Sequence, residues 1–333
     1  MDLRQLEYFV AVAELGSFTR ASAALDVTQP ALSRQVRALE TEFRQHLLTR
    51  NGRGVVPTDA GRQLVELGRG LLHQAQRLTE ELGHARGALV GRVVIGLPPS
   101  LSRALAVPLT RAFTTRMPDA ELSIGTALTR NLEESLTLGQ LDLAVLFGPS
   151  AGLDLELEPL AEDPLRLVHA RRRAIRGVTR RQLPATARKP LALAELAELP
   201  LIIPRRPNAF RMRIESELAR IGKRPRIALE VDSISAILDL VDDGAGCAVL
   251  SSLALDLASA GAELANRPLG DPPLESTLVL ATSARRPRTD TLDEVMTIVR
   301  ELLIAAGTSS RSTSARVSPG RHATSSSPVS RPS

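Results

Sequence analysis

Residues 16–40 read GSFTRASAALDVTQPALSRQVRALE, and this stretch decides the fold of the N-terminal region. Ser17 is a suitable N-cap for a short helix, because its side-chain oxygen can accept a hydrogen bond from a first-turn N–H. Thr28 is predicted to cap a second helix, whose first turn contains Gln29 and Pro30. Proline is tolerated there since its missing N–H would have no helical partner. The stretch therefore predicts two helices joined by a tight turn, a helix-turn-helix.

The second of these helices has one apolar and one polar face. Its predicted buried stripe follows the spacing i, i+4, i+7 and i+11 and consists of Leu32, Val36, Leu39 and Phe43. Gln and Arg side chains on the opposite face can form bidentate hydrogen bonds with base edges in the major groove, and hydroxyl and N–H groups at a helix start can bind phosphate oxygens. DNA binding is therefore predicted for Thr28, Gln29, Pro30, Ser33, Arg34 and Arg37.

An amphipathic helix precedes this pair of helices and a hairpin follows it. Gly16 is predicted to end a first helix whose apolar residues are Leu3, Leu6, Phe9, Val10 and Ala13. Residues 47–57 read LLTRNGRGVVP, in which apolar residues flank an Asn-Gly turn. Such a hairpin is a wing, and Arg50 and Arg53 on it are predicted to contact the DNA backbone or the minor groove.

Net charge does not distinguish a DNA-binding domain from a plain helical domain. The whole chain has 42 basic and 37 acidic residues and a formal net charge of +5, an excess that is compatible with nucleic-acid binding without requiring it. Residues 1–60 contain seven Arg and seven acidic residues. Periodicity leaves both interpretations open, and DNA binding must depend on where the charges lie.

These motifs occur in a continuous order that resembles the LysR-type family of transcriptional regulators. The matching segments are LRQLEYFVAVAELGSFTRASAALDVTQPALSRQVRALE at residues 3–40 and LLTRNGRGVVPTDAG at residues 47–61. Within that family the chain most resembles the nitrogen-assimilation-control subgroup. It departs from the family pattern at Arg44, where a Gly usually ends the recognition helix, at Ser251-Ser252, where Pro is frequent, and in the acid-free basic segment 171–189.

The resemblance implies a function and a set of partners. Members of the family regulate transcription by binding double-stranded promoter DNA at interrupted palindromes, as homodimers or homotetramers, with RNA polymerase as a further partner. We therefore expect a cytoplasmic regulator that responds to a small-molecule effector and needs no other cofactor. An alternative stays open in which the protein binds DNA constitutively and its C-terminal part serves only oligomerisation.

A long helical stretch with a seven-residue repeat follows the wing. Leu64, Leu71, Leu78 and Ala85 form one row of this repeat, and Gly68, Ala75 and Leu82 form a second. Such a seam permits close contact between helices, and packing against the chain's own effector domain is the alternative to dimerisation. Because the family uses this helix to dimerise, the predicted dimerisation residues are Leu64, Leu71, Ala75, Leu78 and Leu82.

From Gly91 onward, apolar runs alternate with helical patterns, which is typical of an α/β domain. The resemblance implies the two-lobed fold of type 2 periplasmic binding proteins. Ligands of open α/β sheets bind at the carboxyl ends of strands, beside helix N-termini that favour an anionic or polar group. The predicted effector-binding residues are Ser100, Ser102, Thr129, Phe147, Ile203 and Ser233. For each hydroxyl, a plain helix cap is the alternative.

Four regions are predicted along the chain. Residues 1–58 form a winged helix-turn-helix domain and residues 59–88 a linker and dimerisation helix. Residues 91–306 form the effector-binding domain, with two α/β lobes. Residues 307–333 are rich in Ser, Thr, Pro and Arg and contain no acidic residue. Such a segment buries too little apolar surface to fold, so a disordered basic tail is predicted.

Sequence features that would indicate an enzyme are missing. The chain has no G-x-S-x-G motif, P-loop or dinucleotide-binding G-x-G-x-x-G motif, and its five His residues lack metal-ligand spacing. The single cysteine, Cys247, excludes an internal disulfide. An α/β enzyme with a helical N-terminal domain is the alternative to a regulator, but Asp142 is interpreted as a structural carboxylate and no catalytic residue is assigned. No run of about 18 apolar residues occurs, so no membrane-spanning helix is expected.

Overall fold

The computed structural model describes residues 1–52, 54–83, 89–148, 154–175, 177–179, 183, 189–258, 264–286 and 288–315. Its N-terminal elements are α1 (Leu3–Leu15), α2 (Phe18–Ala24), α3 (Gln29–Phe43), β1 (Leu48–Arg50), β2 (Val55–Pro57) and the long helix α4 (Asp59–Gly83). None of the helices in these residues is long and apolar enough to cross a membrane.

The first three helices and the wing surround one small apolar core, as predicted. α1 begins with a capping box in which the Asp2 side chain accepts a hydrogen bond from the Gln5 N–H, and it ends at Gly16 in the left-handed conformation. The strands β1 and β2 pair antiparallel. Residues from the three helices, from β2 and from the position just before β1 bury their side chains together: Leu6, Phe9, Val12, Ala21, Leu32, Val36, Leu39, Leu47 and Val55. The helix-turn-helix with a wing is therefore confirmed.

The predicted buried stripe of α3 is correct except at its last position. Phe43 is 41% exposed, because α3 ends at this residue and its side chain extends past the apolar core. Arg44 then takes a left-handed conformation with φ 52° and caps the helix. A Gly adopts this conformation without strain. The helix therefore ends with the same backbone conformation that a Gly at this position would take, although the residue here is an Arg.

α4 contacts the N-terminal domain and the effector domain within a short segment. Gly68 faces α1, where an added Cβ would lie 2.8 Å from Leu6 Cδ1. Gly70 faces the opposite way, and an added Cβ there would collide with the Leu138 carbonyl oxygen of the effector domain. Glycine at these two positions lets the backbone of α4 approach both neighbours closely.

The effector domain alternates strands and helices. In chain order its elements are β3 (Gly91–Leu97), α5 (Pro99–Arg116), β4 (Ala120–Thr126), α6 (Thr129–Leu138), β5 (Leu143–Phe147), β6 (Leu155–Ala170), α7 (Leu193–Leu196), β7 (Leu201–Ile203), α8 (Ala209–Arg220), β8 (Ile227–Glu230), α9 (Ile234–Asp242), β9 (Ala248–Ser251), α10 (Ser252–Ala258), β10 (Leu264–Pro268), β11 (Glu275–Ser283) and α11 (Asp290–Ala315). The alternation of strands and helices that the sequence predicts from Gly91 onward is therefore present.

One seven-stranded sheet, in the order β10-β6-β11-β5-β3-β4 with β9 also paired to β6, runs through the domain. β3 is parallel to β4 and β5, whereas β11 is antiparallel to β5 and β6. We call β3, β4, β5, β11, α5, α6 and α11 the first lobe. We call β7, β8, β9, β10, α8 and α9 the second lobe.

The strand β6 joins the two lobes and was not predicted from the sequence. Residues 155–164 pair with β11 of the first lobe, and residues 165–170 pair with β9 and β10 of the second. β6 contains Pro159 and Pro164, and proline in an apolar run argues against a strand because it removes a ladder donor. The ladder accommodates this segment with a register shift between Leu278 and Val279 of β11.

The closing helix extends further than predicted. α11 runs to Ala315, so it includes the beginning of the tail for which disorder was expected from Gly307. Residues 308–315 read TSSRSTSA and contain neither Gly nor Pro, so no helix breaker stops the backbone there. Residues 316–333 lie outside the described residues, and disorder there stays a prediction.

Candidate functional sites

The residues predicted to read DNA lie on one exposed face at the start of α3. Gln29, Arg34 and Arg37 are exposed and Ser33 is half-buried, on the side opposite the buried stripe. Thr28 occupies the N-cap position, but its side chain makes no capping hydrogen bond. The first N–H groups of α3 therefore have no side-chain cap and can donate to a phosphate oxygen.

The charges of the net-neutral N-terminal domain are distributed unequally. Several of its carboxylates have structural partners: Glu14 pairs with Arg69 at 2.6 Å, Glu42 with the N-terminal ammonium at 2.5 Å, and Glu40 accepts the Leu47 N–H at 2.8 Å. In contrast, within the described residues no carboxylate pairs with the basic side chains that face outward on α3 and the wing, which are Arg34, Arg37 and Arg50. The domain thus presents uncompensated positive charge where a polyanion would bind.

The wing is held against the helices by backbone contacts. The Val55 N–H donates to the Gly16 carbonyl oxygen at 3.0 Å, and an added Cβ at Gly54 would lie 2.5 Å from that oxygen. Arg50 lies exposed at the end of β1. Arg53 lies outside the described residues, so its contact with DNA stays a prediction.

Asp142 joins α4 to the first lobe. Its carboxylate is 2% exposed and lies 2.9 Å from both His73 Nε2 and Arg77 Nη1 of α4. It also accepts the Val94 N–H of β3 at 2.8 Å. Burial by itself would raise the pKa of Asp142, but hydrogen bonds from His73 and Val94, together with the nearby charge of Arg77, hold the pKa below its ordinary value. These contacts agree with the interpretation of Asp142 as a structural carboxylate.

The predicted dimerisation residues divide between the inside and the outside of the chain. Leu64 packs on the N-terminal core, and Ala75 is half-buried. Leu71 and Leu78 are 47% and 58% exposed. The Leu82 side chain lies outside the part that the structure describes. α4 meets the first lobe with a different face, so Leu71 and Leu78 stay uncovered within the described chain.

A cavity of about 450 Å³ lies between the two lobes. Its volume is within the usual range of roughly 300–1,000 Å³ for small-molecule sites. The lining comes mostly from ends of strands and starts of helices: Pro98, Pro99, Ser100, Ala127, Leu128, Thr129, Phe147, Pro204, Arg205, Arg206, Asn208, Ala209, Phe210, Asp232, Ile234, Val249 and Leu250. The cavity thus lies where an open α/β fold is expected to bind its ligand.

The helices that begin at this cavity differ in how their first N–H groups are satisfied. In the second lobe, Asn208 Oδ1 accepts the N–H groups of two α8 residues at 3.0 and 3.2 Å, and Ser233 Oγ accepts from α9 at 3.4 Å. In the first lobe, neither α5 nor α6 has a side-chain cap. The positive end of a helix dipole is therefore open to a ligand on the first-lobe side.

The structure brings half of the predicted effector residues together. Ser100, Thr129 and Phe147 line the cavity. The other three lie outside its lining, each with a different role. Ser102 accepts a hydrogen bond from Thr126 Oγ1 at 2.9 Å, Ser233 caps α9, and Ile203 is buried in the apolar core.

The polar groups contributed by the second lobe were missed. Arg205 forms an ion pair with Asp232, with Nη2 2.6 Å from Oδ2, and Arg206 pairs with Glu215 at 2.7 Å. The hydrogen bonds from the backbone N–H and the guanidinium of Arg205 lower the pKa of Asp232. Residues 204–208 read PRRPN and lie between the end of β7 and the start of α8, so the rule that ligands bind at strand ends and helix starts could have found them.

Within the described residues, neither the single cysteine nor the metal-ligating residue types form a reactive group. Cys247 is fully buried, and burial raises the pKa of its thiol to about 12. A thiol of this kind is unreactive at neutral pH because the thiolate is the nucleophile. Among the residues that the structure describes, no cluster of His, Cys, Asp and Glu could hold a metal ion.

Comparisons with known protein families match both parts of the chain. Residues 3–62 match the family described as "Bacterial regulatory helix-turn-helix protein, lysR family". Residues 86–303 match the family described as "LysR substrate binding domain". The nitrogen assimilation regulatory protein nac of Klebsiella aerogenes is 32% identical to this chain over 301 residues, which are 89% of this chain and 94% of that protein.

Solved structures extend the similarity to the whole arrangement. CbnR, a LysR family transcriptional regulator, aligns with a TM-score of 0.66 at 25% identity, covering 91% of this chain and 99% of that chain. Full-length CbnR in complex with its target DNA aligns with a TM-score of 0.51 at 25% identity, covering 91% of this chain and 100% of that chain. The shared region includes the helix-turn-helix, the long helix and both lobes.

Proposed function

The chain belongs to the LysR family of bacterial transcriptional regulators, and on that basis we propose which of its residues read DNA and which sense a small molecule. It is a DNA-binding regulator with an effector-binding domain. Regulators of this family bind DNA as oligomers and respond to small-molecule effectors, so DNA, an effector and further copies of this chain are its partners.

The start of α3 enters the major groove and reads bases with Gln29 and Arg34. Phosphates are contacted by Ser33, Arg37, Thr28 and the uncapped N–H groups at the helix start. On the wing, Arg50 and Arg53 contact the DNA backbone. The observation that carries this assignment is the absence of any carboxylate paired with Arg34, Arg37 or Arg50 in the described residues. Most acidic groups of the domain have structural partners elsewhere, so the positive charge on the exposed face of α3 and the wing is available to bind a polyanion.

Footprinting of the purified protein on genomic DNA, followed by titration of the bound sites, tests the assignment. Arg34→Ala is expected to weaken binding to a specific site much more than binding to random DNA. Arg111→Ala removes the same charge from an exposed position on α5 and is the matched control, which should bind like the parent protein. Half-sites in an interrupted palindrome are expected in the footprint, and RNA polymerase is the expected downstream partner.

The cavity between the lobes is the effector site, and Ser100, Thr129 and Phe147 are its residues in the first lobe. Uncapped helix starts and a largely apolar lining support a ligand with a polar or anionic head. A constitutive regulator is the alternative. It predicts the same footprint and DNA affinity at every concentration of any small molecule, whereas a sensor changes one of the two when its effector is added.

The remaining parts of the proposal follow from the family and the fold. Residues 1–58 bind DNA, residues 59–88 dimerise through Leu71 and Leu78, and residues 91–306 bind the effector. Proteins of this family are transcriptional regulators rather than enzymes, and we assign no catalytic turnover to this chain. The protein acts in the cytoplasm, where its DNA is.

A further inference from the structure

We propose that the effector is a monocarboxylate with an aromatic or branched apolar body and no second charge. The proposal rests on the assignment of the inter-lobe cavity as the effector site and adds the chemical class of the ligand. Three features of the cavity wall carry it: one open anion position, two arginines already paired with carboxylates, and an apolar remainder.

The open anion position lies in the first lobe. Ser100 as a whole residue is 7% exposed and lines the cavity, and no described residue forms a hydrogen bond with its hydroxyl. It sits in the first turn of α5, beside the start of α6, and both helices lack a side-chain cap. A hydroxyl that opens onto a cavity and has no protein partner is free to form a hydrogen bond with a ligand there. A carboxylate would accept from this hydroxyl and from the free N–H groups of both helix starts.

Both arginines of the described wall already have a carboxylate partner. Arg205 donates to Asp232 through its backbone N–H at 2.8 Å and its Nε at 2.7 Å, and Arg206 is paired with Glu215. Asn208 caps α8, and Ser233 caps α9. A second carboxylate on the ligand would therefore have to compete with Asp232 or Glu215 for an arginine, and it gains less than the first carboxylate does.

The remainder of the wall is apolar. Phe147 of the first lobe and Phe210 of the second lie with ring centroids 4.7 Å apart, and Ile234, Val249 and Leu250 continue this surface. The one carboxylate among the described lining residues is Asp232, which Arg205 occupies, so an ammonium group on the ligand would find no free counter-charge. The wall thus fits an apolar body and disfavours an amino acid or an amine.

Calorimetric titration of the full-length protein with four probes that share a phenyl group tests this class. Phenylacetate carries one carboxylate, phenylsuccinate two, phenethylamine an ammonium, and phenylacetamide no charge. We expect phenylacetate to bind once per chain and each of the other three to bind roughly tenfold more weakly or not at all, because a hydrogen bond to a charged group is the strong kind. Equal or tighter binding of phenylacetamide, phenylsuccinate or phenethylamine overturns the proposal, as does the absence of phenylacetate binding.

Two serines on the same helix provide a matched pair of variants. Ser100→Ala should weaken phenylacetate binding by roughly tenfold, whereas Ser102→Ala, whose hydroxyl points to Thr126 and not into the cavity, should bind like the parent. Equal loss in both variants overturns the anion position at Ser100. The melting temperatures of both variants should match that of the parent, which reports that the chain is folded.

Asp232→Asn removes the carboxylate partner of Arg205 and tests whether the cavity then binds a second carboxylate. Removing the charge of Asp232 frees the Arg205 guanidinium, so phenylsuccinate binding should tighten by roughly tenfold while phenylacetate binding changes little. Unchanged phenylsuccinate binding contradicts this part of the argument. If phenylsuccinate already binds best to the parent and Ser100→Ala abolishes it, the cavity remains the effector site and only the ligand class is wrong.

Discussion

The arginines of the DNA-facing helix and those of the inter-lobe cavity differ in whether a carboxylate pairs with them. On α3, Arg34 and Arg37 are exposed, and no described carboxylate pairs with them. In the cavity wall, Arg205 and Arg206 each pair with a carboxylate. A polyanion is bound through many exposed cations whose combined charge supplies most of the affinity. A small ligand in an enclosed site needs only a few placed polar groups, and every further free charge would have to be desolvated.

Asp142 is a third case, in which charges are both paired and buried, and its loss is expected to have the largest effect on stability. Asp142→Ala leaves Arg77 and His73 of α4 without this carboxylate, and breaking a buried ion pair costs about 3–5 kcal/mol. Chemical unfolding should show the loss. Glu134→Ala, which removes an exposed partner of Arg130, is the control and should change the unfolding free energy by less than ~0.5 kcal/mol.

The difference in unfolding free energy between the parent and Asp142→Ala should depend on pH, because the pKa of Asp142 is lowered in the folded state. A carboxyl whose pKa is depressed in the folded state stabilises the fold above its unfolded value of about 3.9. This contribution is lost as the pH falls through the lower folded-state value. The parent and Asp142→Ala should therefore differ fully at pH 7 and converge only in acid below about pH 4. A difference that disappears already at pH 6 would assign the effect to another group.

The exposed leucines of α4 test whether an uncharged surface can also be a binding surface. Leu71→Asp or Leu78→Asp should dissociate the dimer, since a charge placed in an apolar seam has no partner there. Sedimentation velocity measures the assembly. Leu157→Asp, at a leucine that is 41% exposed on β6, is the control. Unchanged assembly of both α4 variants would mean that Leu71 and Leu78 do not form the dimer interface.

Within the DNA-binding face, base-reading and phosphate-binding arginines should differ. Loss of a base contact by Arg34→Ala should cost about 1–3 kcal/mol and relax specificity at one base pair. Arg50→Ala should weaken all sequences alike and lower the salt slope by about one unit, and the same is expected for Arg53→Ala. Binding to specific and random duplexes across a salt series distinguishes the two. Equal losses of Arg34→Ala on both duplexes would reassign it to a phosphate.

Removal of the C-terminal segment should have the smallest effect. Deletion of residues 316–333 is expected to leave the melting temperature unchanged and at most to weaken non-specific DNA binding, because the segment carries Arg316, Arg321 and Arg331 and no acidic residue. Deletion from Gly307 also removes the last part of α11. A large fall in thermal stability for the shorter deletion would show that the segment is ordered.

The two binding surfaces also differ in how far they could be predicted from the sequence. Gln29, Ser33, Arg34 and Arg37 fall on one side of α3, because the period of 3.6 residues determines which side chains of a helix share a face. For the cavity, the strand ends and helix starts of the first lobe were found, but Ser102 was included although it faces Thr126. Ser100 and Ser102 are two residues apart and therefore lie on different sides of α5, and periodicity without the neighbouring strands does not show which side faces the cavity.

Patterns that lie within one helix or hairpin could be predicted from the sequence: the helix-turn-helix, the wing, and the alternation of strands and helices. These local patterns were also enough to identify the family. Relations between distant segments were not. The pairing of Arg205 with Asp232, the contact of His73 with Asp142, and the crossing of β6 between the lobes each join residues from separate elements. Charge compensation depends on distances of a few ångströms across such contacts. Whether an arginine is free for a ligand or already occupied is therefore a property of the folded chain and not of its local sequence.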